Sequence, residues 1–260
     1  MDADDKPRIL VHFSCGAASA VAWKATVMRY GSEANVEAVY CASVEGDEHP
    51  DNARFLRDVE EWVGGKVTKL YHKKYKSIDD VFLGERFMAG IHGASCTKLL
   101  KRQVGNAYSK PDDRHVYGLT ADEKNRIRDF IERNQDKNCL WVLADAGITK
   151  ENCYHILTAH GIELPEMYKL GYGHNNCIGC VKGGKGYWNK IRRDFPEVFA
   201  RRAAVQRDIG EKASFRSGGK NFMLDELGEN EGRNEPPQKI ECGVFCEGIT
   251  GFIELKDETL

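Results

Sequence analysis

No stretch of the 260 residues approaches the ~18 apolar positions that a membrane-crossing helix needs, so no bilayer span is expected. An excess of one charge is missing too. The 38 Lys and Arg stand against 40 Asp and Glu, so global charge does not announce a nucleic-acid binder. The opening MDADDKPR is acidic and has neither the basic nor the apolar region of a secretory signal. A soluble, cytoplasmic protein is expected. No internal repeat is present.

Cysteine is not scarce: there are nine. In a reducing compartment they do not make a disulfide framework, so some are expected to be metal ligands or a reactive thiol. Cys41 and Cys139 lie in apolar strand-like runs and Cys153 in a helical pattern, and these three read as small buried side chains.

With 41% hydrophobic residues the chain can build one large domain, or one and a half smaller ones. Strand patterns fall at Ile9–Phe13, Val36–Ser43, Lys66–Tyr71, His115–Leu119 and Leu140–Val142. Helical patterns fall near Ala17–Tyr30, Asp51–Val63, Ile78–Met88, Cys96–Tyr108, Ala121–Asn134 and Lys150–His160. This alternation predicts an α/β, Rossmann-like fold: a mostly parallel five-stranded sheet with helices on both faces. GITKEN and LTADEK each place Thr ahead of an acidic first turn, a helix-start signal.

After about residue 170 the character changes, which divides the chain into a nucleotide-binding α/β part (1–170) and a Cys-containing, basic C-terminal region (171–260) packing on it. GYGHNNCIGCVKGGKGYW is rich in Gly, Asn and Cys. One basic helix is predicted over roughly Tyr187–Gly210. From Lys182 to Lys220 eleven Lys or Arg face four Asp or Glu, which would suit a phosphate backbone or merely a solvated face. SGGK reads as a hairpin turn and GENEGRNEPPQ as an exposed loop.

Four stretches carry chemistry. RILVHFSCGAASAVAWK reads as a buried strand, a small-residue turn and a helix, a geometry that lets backbone N–H groups and the helix dipole hold an anion. Ser14, Cys15, Gly16, Ala17 and Ser19 are the candidate phosphate contacts. The turn is neither a Walker loop nor GxGxxG, and such a turn also packs well with no ligand. SVEGDEHPDNARFL follows the second strand, where Glu45, Asp47 and Glu48 are candidates for a ribose hydroxyl or an adenine edge, or simply form a solvated turn. GASCTKLLKRQV places Cys96 next to Lys98, Lys101 and Arg102; Lys98 and Arg102, four apart, share a helical face, a cationic stripe suited to phosphate or sulfate that would lower the pKa of the nearby thiol. GLTADEKNRIR offers Gly118, Lys124 and Arg126 at the end of the fourth strand.

Cys177-x-x-Cys180 and Cys242-x-x-x-Cys246 lie in turn-like sequence and suggest a sulfur metal site, compatible with a [4Fe–4S] cluster or zinc. Cys96 makes five candidates for four places.

Taken in order, these stretches resemble the adenylylsulfate/phosphoadenylylsulfate (APS/PAPS) reductase family of the PP-loop, or adenine-nucleotide α-hydrolase-like, superfamily. FSCGAASA stands where the family has its Ser-Gly-Gly loop, EGDEHPDN resembles its Phe-Pro-Glu-Thr segment, and SCTKLLKRQV is similar to its Cys-Cys-x-x-x-Lys helix. LADAGITKENCYHILTAHGIELPEMYKLGYGHNNCIGC resembles its Pro-Leu-x-Asp-Trp segment through Gly-Cys-x-x-Cys, and IECGVFC its Glu-Cys-Gly nucleophile motif.

The resemblance implies thiol-dependent reduction of adenylylated sulfate to sulfite. Cys242 would be the nucleophile, and Lys98 and Arg126 would steady the sulfate. Cys96, Cys177, Cys180 and Cys246 would hold a cluster, and a thioredoxin-like thiol would serve as reductant. Cys177, Cys180, Cys242 and Cys246, with Cys96 free, are the rival ligand set. Departures are plain: Ala18 stands where ATP-cleaving relatives carry Asp, Ser95 where iron–sulfur members carry Cys, and Thr120 where the family has a sulfate-contacting Arg. Two other functions fit the same features: an ATP-dependent sulfur transferase acting on tRNA or DNA, and a non-catalytic nucleotide-binding regulator. Oligomeric state is open, a homo-oligomer included.

Overall fold

The computed structural model describes residues 6–43, 46–90, 93–175, 177–217 and 220–232. The chain opens with β1 (Arg8–His12), α1 (Ala17–Tyr30), β2 (Asn35–Cys41), α2 (Asn52–Val63) and β3 (Val67–Leu70). An excursion follows: α3 (Ile78–Glu85), the antiparallel pair β4 (Ala89–Gly90) and β5 (Gly93–Ala94), a π-helical stretch at Thr97–Gln103, and α4 (Val104–Tyr108). The sheet resumes with β6 (Arg114–Tyr117), α5 (Lys124–Arg133), β7 (Asn138–Leu140), α6 (Val142–Asp145) and α7 (Lys150–Ala159). Then come α8 (Glu166–Lys169), α9 (Lys185–Asp194), α10 (Pro196–Ile209) and the hairpin β8 (Phe215–Ser217) and β9 (Lys220–Phe222).

The expected fold is present. Five strands form one parallel sheet in the order β3-β2-β1-β6-β7, a Rossmann-like α/β arrangement. Strand order reverses between β1 and β6, and in open α/β sheets the crevice beyond the carboxyl ends at such a switch point is where ligands bind. Ile9, Val11 and Phe13 alternate onto the face that carries Ala38, Tyr40 and Val116, where the alanine-rich α1 packs with α2, α6 and α7. Among the described residues no helix is long and apolar enough to cross a membrane.

Two expectations on elements are corrected. The single basic helix is two, because Pro196 pushes Phe195 out of helical geometry (φ −141°, ψ 65°) and starts a new helix at its own first position. The fifth strand ends at Leu140, and Val142 already belongs to α6.

The opposite face of the sheet is less apolar. His12 Nε2 and His115 Nδ1 lie 3.0 Å apart on neighbouring strands, and the His12 ring stacks on Tyr117 at 4.3 Å. Burial, then the neighbouring His115 and Lys137, holds His12 down to about 3, and burial also lowers His115. Both rings are neutral in the fold, whereas in the unfolded chain they protonate below about pH 6.5. The contribution of His12 to stability is therefore complete above that pH and is lost as pH falls toward 3, at about 1.4 kcal/mol per pH unit, and His115 acts in the same direction. Urea midpoints measured from pH 7 to pH 5 should drop steadily, and His12→Leu should flatten the drop. An unchanged slope would show that the pair titrates normally.

A second hydrophobic cluster lies away from the sheet. Phe82, Met88 and Leu100 of the excursion pack with Tyr172, Trp188, Ile191 and Phe199 of the later chain. The Cys-containing region thus builds its core together with the excursion between β3 and β6.

Candidate functional site

The loop after β1 turns on Cys15, a non-glycine residue at φ +54°, followed by Gly16 at the extended N-cap of α1. No side chain caps this helix, so its first N–H groups depend on other partners. Ser19 Oγ accepts from Ser14 N (3.1 Å) and from the Ser14 hydroxyl (3.2 Å) and donates to the Gly16 carbonyl (2.8 Å). The Cys15 side chain points into the core, where burial pushes its thiol up to about 12, so only its backbone can meet a ligand. Gly118, at the exit of β6, explains why a glycine stands there. A Cβ would come within 2.6 Å of Ser19 N and 2.8 Å of Ser19 Cα. The exits of β1 and β6 are therefore in backbone contact at the switch point.

Beside this contact lies a charged group. Thr120 donates its N–H (3.2 Å) and hydroxyl (3.0 Å) to Glu123 Oε2, and Glu123 pairs with the exposed Arg126. Lys124 is exposed. Lys150, at the first position of α7, donates to the Gly173 carbonyl and lies 5.9 Å from the ring centres of Tyr154 and Tyr168. Burial lowers its pKa, against the pull of Glu123 and Asp122. Tyr168 carries its hydroxyl to Gly16, where an added Cβ would meet it at 3.3 Å. Sequence reasoning missed Lys150. The available signal was its place directly after the helix-capping Thr149, whose capping box with Asn152 is present.

The acidic stretch after β2 behaves differently from expectation. Glu45 lies outside the described residues. Asp47 is buried, and its Oδ2 accepts from Ser43 Oγ (2.6 Å) and from the N–H of Ile78 that opens α3 (2.8 Å). Its carbonyl accepts from Ile178 N (2.9 Å), so Asp47 ties α3 to the segment between Cys177 and Cys180. Burial raises the pKa of this carboxyl. Glu48 is the acid that reaches the sulfur centre. Its Oε1 is 3.9 Å from Cys177 Sγ, and its Oε2 accepts from Asn52 Nδ2 (2.8 Å) and the Tyr40 hydroxyl.

Cys96, Cys177, Cys41, Glu48 and Lys101 line one cavity, walled by Ile78 and Leu100. The π-helical stretch explains the presence of Lys101. In an α-helix residues five apart point about 140° away from each other. The wider i→i+5 turn brings them to one face. Cys96, at the N-cap of the stretch, and Lys101 therefore both face the cavity, while Lys98 and Arg102 are exposed. The expected Lys98/Arg102 stripe faces solvent, and Lys101 is the cation beside Cys96.

Lys101 has its pKa raised by Cys177 first, then by Glu48, Cys180 and Cys96, so it is held as an ammonium. Burial pushes Cys177 up to about 12 and raises Cys96; Lys101 opposes both shifts, and Arg202 and Lys182 also pull Cys96 down. The Cys177–Cys180 turn is clamped by Tyr187, whose oxygen accepts from Cys180 N (2.9 Å) and whose hydroxyl reaches the Cys177 carbonyl (3.4 Å). Gly179 sits in the turn at φ +71°, where a Cβ would also strike Val198 at 2.8 Å.

Among the described residues no three of His, Cys, Asp or Glu already stand close enough together to hold an ion. Cys242 and Cys246 lie outside the described residues. Three of the predicted sulfur ligands, Cys96, Cys177 and Cys180, are among the described residues. Cys96, Cys177 and Cys180 are soft sulfur donors, and Lys101 and Arg202 supply buried positive charge beside them. A scan against protein-family models finds no match, and a search of curated proteins finds none either.

Proposed function

We propose that this chain is a sulfonucleotide reductase-like enzyme, resembling the APS/PAPS reductases, that reduces adenylylated sulfate to sulfite at the expense of thiols. One observation carries the reading. Cys96, Cys177 and Lys101 share a cavity that a buried polar chain joins to the small-residue loop at the sheet's switch point.

In this reading the loop Ser14–Ser19 and the start of α1 hold the nucleotide phosphate. Arg126, Lys124 and Lys150 steady the sulfate, and Lys101 takes the part expected of Lys98. The Cys242 thiolate attacks sulfur, the bond from sulfur to the AMP phosphate oxygen breaks, and AMP leaves. A thiosulfonate remains on Cys242. A thiol of a thioredoxin-like reductant then attacks Cys242 Sγ, sulfite departs with the electron pair of the broken S–S bond, and the reductant's second thiol resolves the mixed disulfide. Cys96, Cys177 and Cys180, with Cys246 as fourth ligand, would hold a [4Fe–4S] cluster or zinc. The bound group supplies fixed charge rather than electrons.

Sulfur transfer to nucleic acid draws its support from Lys182–Lys220. There Lys185 faces Glu231, Lys190 faces Asp194, Arg201 and Arg202 face Asp79, and Arg207 faces Asp225, so much of that charge is neutralised within the protein.

Anaerobic assay of sulfite release from radiolabelled APS and PAPS, with thioredoxin and with Cys242→Ser in parallel, tests the reading. Release that vanishes in Cys242→Ser is expected. Metal-loaded wild type that releases no sulfite from either nucleotide would overturn the proposal.

A further inference from the structure

The polar groups between the loop and the thiols form one unbroken chain. Asn175 Nδ2 donates to the Cys15 carbonyl at 2.6 Å and to Asn52 Oδ1 at 2.8 Å. Asn52 Nδ2 donates to Glu48 Oε2 at 2.8 Å, and Glu48 Oε1 faces Cys177 Sγ at 3.9 Å. Asn175 and Asn52 are both buried. Asn175 also precedes Cys177 by two residues, so one short segment touches both centres.

Two features set this chain apart from an ordinary buried scaffold. Asn175 Oδ1 is buried and has no hydrogen-bond partner, a costly state for an amide oxygen. The carbonyl that Asn175 holds belongs to Cys15, the residue in the left-handed region at φ +54°. The links are also directional. Asn52 can accept from Asn175 and donate to Glu48 only in one orientation of its amide, so rotating it breaks both bonds together. The two bonds at Asn52 are therefore made or lost together.

We propose that Asn175, Asn52 and Glu48 couple occupancy of the loop to the placement and accessibility of the Cys177 side chain, with Asn52 as the central positioning residue. The proposal rests on the reading of the loop as a nucleotide site. An anion drawn to the N–H groups of the loop moves the Cys15–Gly16 peptide, and Asn175 follows the carbonyl it holds. Asn52 and Glu48 then shift with it. Thermodynamic reciprocity requires that a change at Cys177 alter nucleotide affinity by the same factor.

The full chain, reduced and metal-free, is tested with AMP as probe. Equilibrium dialysis gives AMP affinity, and site-resolved mass spectrometry gives the rate of Cys177 alkylation by iodoacetamide. Saturating AMP should change that rate at least ~5-fold in the wild type. Asn52→Leu is close in size and can neither accept from Asn175 nor donate to Glu48. It should bind AMP yet hold the change within about twofold. Asn175→Ala cuts the other end and should behave alike, which covers the case of an Asn52→Leu protein that does not fold. An AMP effect of full size in either variant would mean direct shielding and would overturn the coupling. So would wild type that binds AMP with no change at Cys177. Wild type that binds no AMP would remove the nucleotide reading, and the coupling with it.

Discussion

Replacing Asp79 by Ala is expected to destabilise the protein by about 3–5 kcal/mol, the cost of leaving a buried cation without its carboxylate. Arg202 is fully buried on α10, its Nη1 pairs with Asp79, and its guanidinium lies 5.1 Å over the Phe82 ring. Arg201 Nε takes the other carboxylate oxygen at 3.0 Å, so two guanidinium groups share one acid. Arg202 Nε and Nη2 are buried without partners. Removing Asp79 therefore takes away the carboxylate that pairs directly with the buried charge, leaving only the more distant Asp47. Removing the charge instead, in Arg202→Met, should cost little, and similar buried pairs replaced by apolar groups have gained about 1–4 kcal/mol. Equilibrium urea denaturation of the two variants decides this. Equal losses would mean that Arg202 contributes packing and not an unbalanced charge.

The second large effect is expected at Lys101. Lys101→Met removes the ammonium from the cavity while keeping much of the side chain's length. Groups that support metal-binding side chains typically change affinity by ~10–100-fold when lost. On the reading proposed above, Lys101→Met should lower retained iron or zinc by about that factor, and sulfite release with it. Lys101→Arg should recover part of both. Metal content of the purified proteins, before and after dialysis against a chelator, is the direct measurement. Full retention in Lys101→Met would leave the thiols independent of this charge.

Lys101 also shows where sequence reasoning stops. The sheet was legible because buried parallel strands and amphipathic helices alternate, and Ile9–Phe13 or Val36–Cys41 can hardly be anything else. The small-residue loop and Gly118 were legible for the same local reason: backbones that approach closely need small residues. The inward cation was not. Nothing in TKLLKRQ distinguishes an α-helix from a π-helical stretch, and only the second brings Lys101 round to the face of Cys96. The acid was misplaced for a related reason. Asp47 and Glu48 are neighbours in a loop, where no periodicity sets their directions, and only the packed structure tells which meets sulfur. Cys41 read as a plain buried side chain because its strand is apolar, yet it ends that strand at the cavity wall. Pro196 was a visible breaker inside the basic helix, and the two-helix arrangement follows from it.

The shared second core also governs how the chain can come apart. Phe82 and Met88 are covered by Trp188 and its neighbours, which arrive about a hundred residues later along the chain. A nick or stop codon near Leu170 would not release a free-standing α/β lobe. It would strip the cover from α3 and the π-helical stretch and expose an apolar surface in the middle of the remaining piece. Fragments cut there should be sticky and short-lived, because the segment carrying Cys177 and Cys180 shares one core with the excursion from the sheet.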